Sequence, residues 1–411
     1  MSDKVEVDVA VVGGGPAGCA AAISLARLGR RVALLERTVY GASRVGETLP
    51  PDVQPLLREL GVWERFLADG HAPAPGLVMR WGGGEPYETD HIFNPYGHGW
   101  NLDRVRFDRS LYQAASELEG VSAFSGVSRI VCRRRPEGAG GAWLLTFTGR
   151  AGNTHAGERG ERSLLLSAHF VVGATGRAAP PFLPPRAGRL VIDNLIGVIG
   201  LIPPRRPPAP HAGEGENDPR IWIESVQDGW WYSVPLPGGS LIAVYLTDAD
   251  LVRDRGGARA AWRSTLAQTL RPASHPYPGT VTKEAGLSPA DLRVVAAGSY
   301  CRRGLVGQDY LLVGDAACAW DPLSGQGVLR ALSEGPMAAR AIDAYMSERD
   351  RGALTTYEER ILNNFLTYLR ERCETYRRET TWPSSPFWHR RHNACRADTL
   401  GFVTSRRIAA R

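Results

Sequence analysis

An apolar run of strand length, Val5 to Val12, passes without a break into Gly13-Gly14-Gly15-Pro16-Ala17-Gly18. Ala20 to Leu28 then reads as a helix, Gly29 ends it, and Arg31 to Leu35 is a second apolar strand closed by Glu36. Strand, G-x-G-x-x-G, helix, strand and acid in that order describe a βαβ unit that holds a dinucleotide at the helix N-terminus. Gly13 serves the tight turn, Gly15 lets the backbone approach a pyrophosphate, and Gly18 lets the helix pack closely on the strand. Pro16 and Ala17 open the helix, whose unpaired N–H groups and positive dipole end favour phosphate. Glu36 is placed to accept ribose hydroxyls, with Arg37 beside it.

A second signal lies roughly 300 residues downstream, where Asp309 to Val313 is a strand that ends in Gly314-Asp315-Ala316-Ala317. It continues as Asp321-Pro322-Leu323-Ser324-Gly325-Gln326-Gly327 and enters a helix near Val328. Here the sequence resembles the FAD-dependent monooxygenases of the para-hydroxybenzoate hydroxylase fold. The resemblance implies that Asp315 holds the ribitol side of FAD and that Pro322, Gly325, Gln326 and Gly327 border the reacting ring. A glycine-rich loop suits that place, because its N–H groups and the helix dipole stabilise negative charge on a reduced flavin. Phe170 to Arg177 resembles the family's strand returning to the cofactor, with Thr175-Gly176 where the hydroxylase branch has Asp-Gly. No second G-x-G-x-x-G follows a strand, so no separate nicotinamide domain is visible; the resemblance implies O2 as co-substrate and NAD(P)H or a separate flavin reductase as electron source.

Arg44-Val45-Gly46-Glu47-Thr48-Leu49-Pro50-Pro51 resembles the segment that straps over the flavin in the tryptophan-halogenase-like branch. The resemblance puts Arg44 at the phosphates and Glu47 near the ring; the plain alternative is a turn with solvated charges. Arg104, within Trp100 to Asp108, is the arginine that this likeness assigns to FAD, with Arg106 second. Gly229-Trp230-Trp231-Tyr232-Ser233-Val234-Pro235 resembles a degraded W-x-W-x-I-P signature of flavin-dependent halogenases. Trp230 and Tyr232 then wall an aromatic-substrate pocket, or else belong to an aromatic-rich core strand.

Only two of the 49 basic residues are lysine, Lys4 and Lys283. Halogenases of this branch pass hypohalous acid to substrate through a lysine soon after the strap, and the window Gly76 to Trp81 offers Arg80 instead. An arginine stays protonated and cannot act as a neutral amine. Asn94 to Trp100 and Trp382-Pro383-Ser384-Ser385-Pro386-Phe387-Trp388 look more like the flavoproteins that mature quinone-cofactor amine and amino-acid oxidases. The function implied is hydroxylation of an electron-rich aromatic ring, an indole or a phenol, through a flavin C4a-hydroperoxide. The substrate is a small molecule or is held on a protein, peptide or carrier. The alternatives are a flavin-dependent halogenase and a non-oxygenating FAD dehydrogenase or partner-binding flavoprotein. His98 and Asp321 are the candidate acid and base.

The net charge of +6 gives no case for nucleic acid. Residues 360–411 hold 11 arginines against 4 acidic residues, so the rest of the chain is close to neutral. That tail is read as a basic arm for an acidic partner or as a solvated extension. No apolar run reaches the roughly 20 residues of a membrane span, and the charged N-terminus leaves no room for a signal peptide. The six cysteines are scattered, so reduced thiols, no metal and a cytoplasmic protein are expected. Leu354, Tyr357, Ile361, Phe365, Leu369, Cys373 and Tyr376 recur at helical spacing. Pro203 to Arg220 has loop composition and is expected to cap the substrate side.

The expected architecture is α/β: a Rossmann-like FAD-binding domain interleaved with a β-sheet substrate domain, plus a C-terminal helical extension. The boundaries read as 1–78, 101–185 and 298–350 for FAD binding, 79–100 and 186–297 for substrate, and 351–411 for the extension.

Overall fold

The strand-length run at the N-terminus forms the middle of a parallel sheet in a computed structural model of the chain. The structure describes residues 4–42, 44–135, 143–151, 162–183, 188–203, 218–269 and 292–395. Most of the Pro203–Arg220 loop, Lys283 and the tail beyond residue 395 lie outside these residues.

The chain divides into two units, Met1–His71, Asp103–Val191 and Tyr300–Phe365 in the first, Ala72–Leu102, Ile192–Ser299 and Leu366–Arg411 in the second. In the first, β1 (Lys4–Val12) leads through α1 (Pro16–Arg27) to β2 (Val32–Leu35), its parallel neighbour. Helix α2 (Arg104–Ser116) precedes β3 (Val121–Arg134), parallel to β2; β4 (Trp143–Ala151) returns antiparallel to β5 (Arg162–Gly173). Strand β5 lies on the other side of β1, and β6 (Tyr310–Leu312) pairs with β5 before the chain enters α3 (Gly327–Glu348).

The β1 side chains Val9, Ala10 and Val11 have no exposed surface, as expected of a strand covered on both faces. Helix α1 begins at Pro16, four residues before the apolar pattern suggested, because Pro is favoured in a first turn and the glycine turn ends at Gly15. Its Ala20, Ala21 and Ala22 are buried, and Gly335 of α3 meets them so closely that a Cβ there would lie 2.5 Å from that of Ala20. Small residues on both helices thus set the spacing of this crossing.

Register carries the functional consequence. Val12 pairs with Leu35 and with Gly173, and Gly173 pairs with Leu312. Four parallel strands therefore end on one line, and the segments Gly13–Gly18, Glu36, Ala174–Arg177 and Val313–Asp315 all leave the sheet from its carboxyl edge. In open α/β sheets that edge is where ligands bind.

The second unit is built on a seven-stranded sheet. Its order is Arg293–Ala296, Leu195–Ile202, Leu241–Asp248, Gly229–Pro235, Ile221–Val226, Gly76–Arg80 and Tyr87–Asp90. Trp231, Tyr245 and Trp262 pack on one another in a core with Val198, Ile202 and Leu241. A second aromatic cluster joins Trp81, Trp230, Tyr376 and Trp388.

The C-terminal stretch is helical, as α4 (Arg351–Arg377) and α5 (Pro386–Ala394), and all seven residues of the helical repeat are buried. Its residues up to Phe365 fall in the first unit and the remainder in the second. Two expectations change here. Cys373 and Cys395 are joined in a disulfide between α4 and α5, and the other four cysteines are thiols. The tail's arginines are also less solvated than composition implied. Arg372 is held by Asp193 at 2.8 Å, and Arg391 is buried against Asp248 at 2.8 Å with its guanidinium over the Phe387 ring. Among the described residues, no helix is long and apolar enough to cross a membrane.

Candidate functional site

At the carboxyl end of β1, Gly13 has a φ of +114° and its N–H bonds Leu35 O at 2.8 Å. A Cβ on Gly13 would sit 2.2 Å from the Ala174 carbonyl oxygen, and one on Gly18 would sit 1.8 Å from the Gly13 oxygen. Both glycines are demanded by the crossing of backbone on backbone. Gly15 differs: a Cβ there meets nothing nearer than Arg44 Nη1 at 3.8 Å. Gly15 is the N-cap of α1 and supplies no side-chain cap, and Pro16 occupies the first helical position. The first turn of α1 thus offers N–H groups with no intrahelical partner, beside open space and one guanidinium, which is the form of an anion site.

Glu36 is buried beside this turn. Its Oε2 accepts from Gly14 N at 2.7 Å, and its Oε1 accepts from Thr38 N at 2.8 Å, Thr38 Oγ1 at 2.6 Å and Arg44 Nη2 at 3.2 Å. Oε2 takes one donor against three on Oε1 and keeps capacity for a ligand hydroxyl. Gly14 was not singled out from the sequence, yet its peptide is gripped on both sides. Its carbonyl accepts from Tyr40 OH at 2.7 Å and Cys19 Sγ at 3.2 Å, and a Cβ on it would lie 2.4 Å from the Tyr40 hydroxyl. Tyr40 has a φ of 57°, rare for a side chain of its size, and only that local strain could have marked it. The Arg37 side chain is exposed.

The strap connects this end of the site to the other. Arg44 reaches Glu36 and the Gly15 turn, while Gly46 lies against Val328 at the start of α3, where an added Cβ would be 3.3 Å from Val328 Cγ2. Glu47 is buried, and its Oε2 accepts from Gly46 N at 3.0 Å. Arg104 holds the strap rather than reaching past it. Its Nη1 donates to the Val45 carbonyl and to Gly46 O at 3.1 Å, and its Nη2 pairs with Asp108 at 3.0 and 3.1 Å.

At the far end, Gly314 packs on Ala17, with 3.0 Å between an added Cβ and that of Ala17. The Asp315 carboxylate is about one-third exposed and accepts from Arg330 Nη2 at 2.7 Å, with Arg177 Nε at 3.4 Å. Arg330 also pairs with Glu334 at 2.8 Å, whose other oxygen accepts from Gly314 N at 2.6 Å. Burial alone would pull the Arg330 pKa down, but the Glu334 and Asp315 carboxylates outweigh it and raise it. The arginine is a permanent cation that fixes Asp315. Arg330 and Glu334 are further residues that sequence reasoning missed; their i, i+4 spacing looks like any helix-surface pair.

The Asp321–Gly327 loop presents Pro322, Gly325, Gln326 and Gly327 to solvent, and a Cβ added to Gly325 or Gly327 would meet nothing within 4 Å. Asp321, by contrast, is 1% exposed, and its Oδ1 caps the Leu323 N–H at 3.0 Å. In this position Asp321 braces the loop. Trp230 is 1% exposed, its indole N–H donates to Tyr376 OH at 3.1 Å, and it packs edge-on to Trp81. Tyr232 is only partly buried. His98, in the second unit, has Nδ1 2.7 Å from the Gly99 carbonyl, so Nδ1 carries the proton and Nε2 is the acceptor.

The first unit therefore carries an open phosphate-type turn and an acceptor carboxylate at one end. A glycine loop with a fixed carboxylate stands at the other, and a strap touches both. These donors and open glycines fit an elongated dinucleotide such as FAD. Residues 6–365 match the family described as FAD binding domain. LodB of Marinomonas mediterranea, assigned as an FAD-dependent oxidoreductase, is 29% identical over 392 residues, 94% of this chain and 96% of that protein. The tryptophan 2-halogenase of Chondromyces crocatus is also 29% identical, over 86% of this chain, which spans only 64% of that enzyme. The myxobacterial chondrochloren halogenase CndH shares the fold with a TM-score of 0.77, 23% identity and coverage of 99% of this chain and 90% of that one. The peptidyl tryptophan dihydroxylase QhpG, essential for tryptophylquinone cofactor biogenesis, gives a TM-score of 0.69 at 26% identity, covering 94% of this chain and 79% of its own.

Proposed function

The chain belongs to the FAD-binding-domain family, and from that premise we propose that it is an FAD-dependent oxygenase that hydroxylates an electron-rich aromatic ring. A tryptophan indole carried on a protein or peptide is the substrate class best supported, by the likeness to QhpG over 94% of this chain.

The observation that carries oxygenation over halogenation is the residue at the amine position. Within Gly76 to Trp81 the one basic side chain is Arg80, and it is ion-paired to Glu224 at 3.0 Å. A paired guanidinium neither deprotonates nor acts as a nucleophile.

Bound FAD supplies the electron transfer and the activation of O2; the protein supplies binding, orientation and proton handling. The α1 first turn with Gly13, Gly15, Pro16, Ala17 and Gly18 receives the pyrophosphate, with Arg44 as counter-charge. Glu36 Oε2 takes a ribose hydroxyl, and Asp315, fixed by Arg330, takes the ribitol side. Pro322, Gly325, Gln326 and Gly327 would border the ring, with Glu47 of the strap near it. Arg104 acts through the strap it holds. Tyr232 contacts the substrate ring with Trp230 behind it, and His98 Nε2 accepts the proton released from the hydroxylated carbon. The ring gains one oxygen atom of O2 and the other leaves as water. The two electrons come from a nicotinamide or a separate flavin reductase.

The test is a single turnover of photoreduced holoenzyme with O2 against indoles, phenols and tryptophan-bearing peptides, with and without chloride and bromide. An oxygenated product that forms without halide is expected. Peroxide release with every substrate overturns the reading. A halogen isotope pattern in the product selects the second reading, a halogenase, which the identity to tryptophan 2-halogenase favours.

A further inference from the structure

Beside Asp315, three arginines surround one tyrosine ring. The guanidinium carbons of Arg189, Arg302 and Arg177 lie 4.6, 5.7 and 6.0 Å from the Tyr300 ring centroid. Arg189–Val191 and Tyr300–Arg302 form an antiparallel pair in which Arg189 stands directly opposite Arg302. Like charges directly opposed across two strands are destabilising, so the arrangement calls for a counter-charge.

The described residues do not supply enough of it. Arg177 shares Asp315 with Arg330. Arg189 and Arg302 form no ion pair with a carboxylate among the described residues; their Nη2 groups donate to the backbone carbonyls of Arg177 and Ala178, each at 3.1 Å. Arg302 is 4% exposed, and its Nε is buried without a hydrogen-bond partner. Burial, followed by the Arg189 charge, holds its pKa below the usual arginine value. Arg189 and Arg302 therefore bring two positive charges that no carboxylate among the described residues pairs with. A buried guanidinium with an open donor is destabilising unless an acceptor completes it, and an anion does so best.

We infer that Arg177, Arg189 and Arg302 form a binding site for a dianionic phosphate monoester, built on the Tyr300 ring and separate from the α1 pyrophosphate turn. Guanidinium forks match phosphate oxygens in geometry, and a phosphate monoester carries close to the two negative charges that the cluster lacks. The ligand is either free phosphate or the phosphate of a nucleotide. This inference stands whether or not the enzyme hydroxylates.

Calorimetric titration of the FAD-loaded protein with inorganic phosphate, adenosine 2′-monophosphate, adenosine 3′-monophosphate and adenosine tests it. The phosphorylated ligands are expected to bind at least tenfold more tightly than adenosine, and Arg189→Gln and Arg302→Met are each expected to weaken them at least tenfold. Arg302→Lys, which keeps the charge, should recover part of that loss. A nucleotide phosphate that outcompetes inorganic phosphate identifies the nucleotide as source, and equal affinity identifies free phosphate. Arg189 is exposed, so Arg189→Gln reads the site even if Arg302→Met fails to fold. Equal binding of adenosine and its monophosphates overturns the inference, as does unchanged phosphate binding in both variants. A loss of FAD content in Arg189→Gln also overturns it, because the cluster would then belong to the FAD site.

Discussion

The Gly13–Gly18 turn and the Asp321–Gly327 loop both lead into a helix, and both are rich in glycine, yet they use it in opposite ways. In the turn, Gly13, Gly14 and Gly18 are each pressed against other atoms, and only Gly15 is open. In the loop, Gly325 and Gly327 face empty space, and the shape comes from the Asp321 cap, while the neighbouring Arg330–Asp315–Glu334 network fixes the carboxylate beside it. One region is held by sterics and the other by charge. Glycine in a cofactor motif therefore has two meanings: where a Cβ would collide it serves the fold, and where nothing is near it leaves room for a ligand.

The largest effect is expected at the charged network. Arg330→Met removes a buried cation and strands the Glu334 carboxylate, which should cost about 3–5 kcal/mol. Denaturant unfolding of the FAD-free protein measures this, and a loss under about 1 kcal/mol would mean the rear loop does not depend on charge. Gly18→Ala comes next, at about 3 kcal/mol, because the clash is with backbone that has nowhere to move; the same unfolding series reads it. The smallest effects belong to the open glycines. Gly327→Ala should leave stability unchanged or raised by up to about 1 kcal/mol, and Gly325→Ala should lose about 1–2 kcal/mol for its left-handed backbone. Both should weaken FAD binding about tenfold, seen by fluorescence titration of apoprotein. If Gly327→Ala unfolded as readily as Gly18→Ala, the distinction between the two regions would collapse.

The same distinction explains what could be read from the chain. The front turn was legible because its demands fall on the residues that meet them: Gly13 must adopt a positive φ and Gly18 must lack a side chain. The rear loop was placed by resemblance, since an open glycine leaves no local signature. Arg330 and Glu334 went unnoticed because spacing says which residues are neighbours on a helix and nothing about whether that face is buried. The sequence leaves Trp230 open between pocket wall and core strand for a related reason. On the Gly229–Pro235 strand Trp230 and Trp231 are both buried, so the sheet is covered on both faces and alternation does not distinguish core from cavity. The Cys373–Cys395 pair needs two helices to be docked before the thiols meet, and no spacing rule encodes that docking.

Arg30, just before β2, bonds Asp343 of α3 at 2.7 Å across 313 residues of sequence, and β6 joins β5 roughly 140 residues after that strand is complete. The motif most easily recognised at the start of the chain is therefore among the last to be finished. During synthesis the β1–α1–β2 segment leaves the ribosome early, but its sheet keeps an open edge beside β5, and α1 lacks its partner helix, until α3 has emerged. Ribosome-bound chains that stop before Tyr310 should expose that edge to chaperones and to aggregation. Competence to hold the cofactor would then arrive as a late event, set by translation of the rear third of the chain rather than by the motif that announces it.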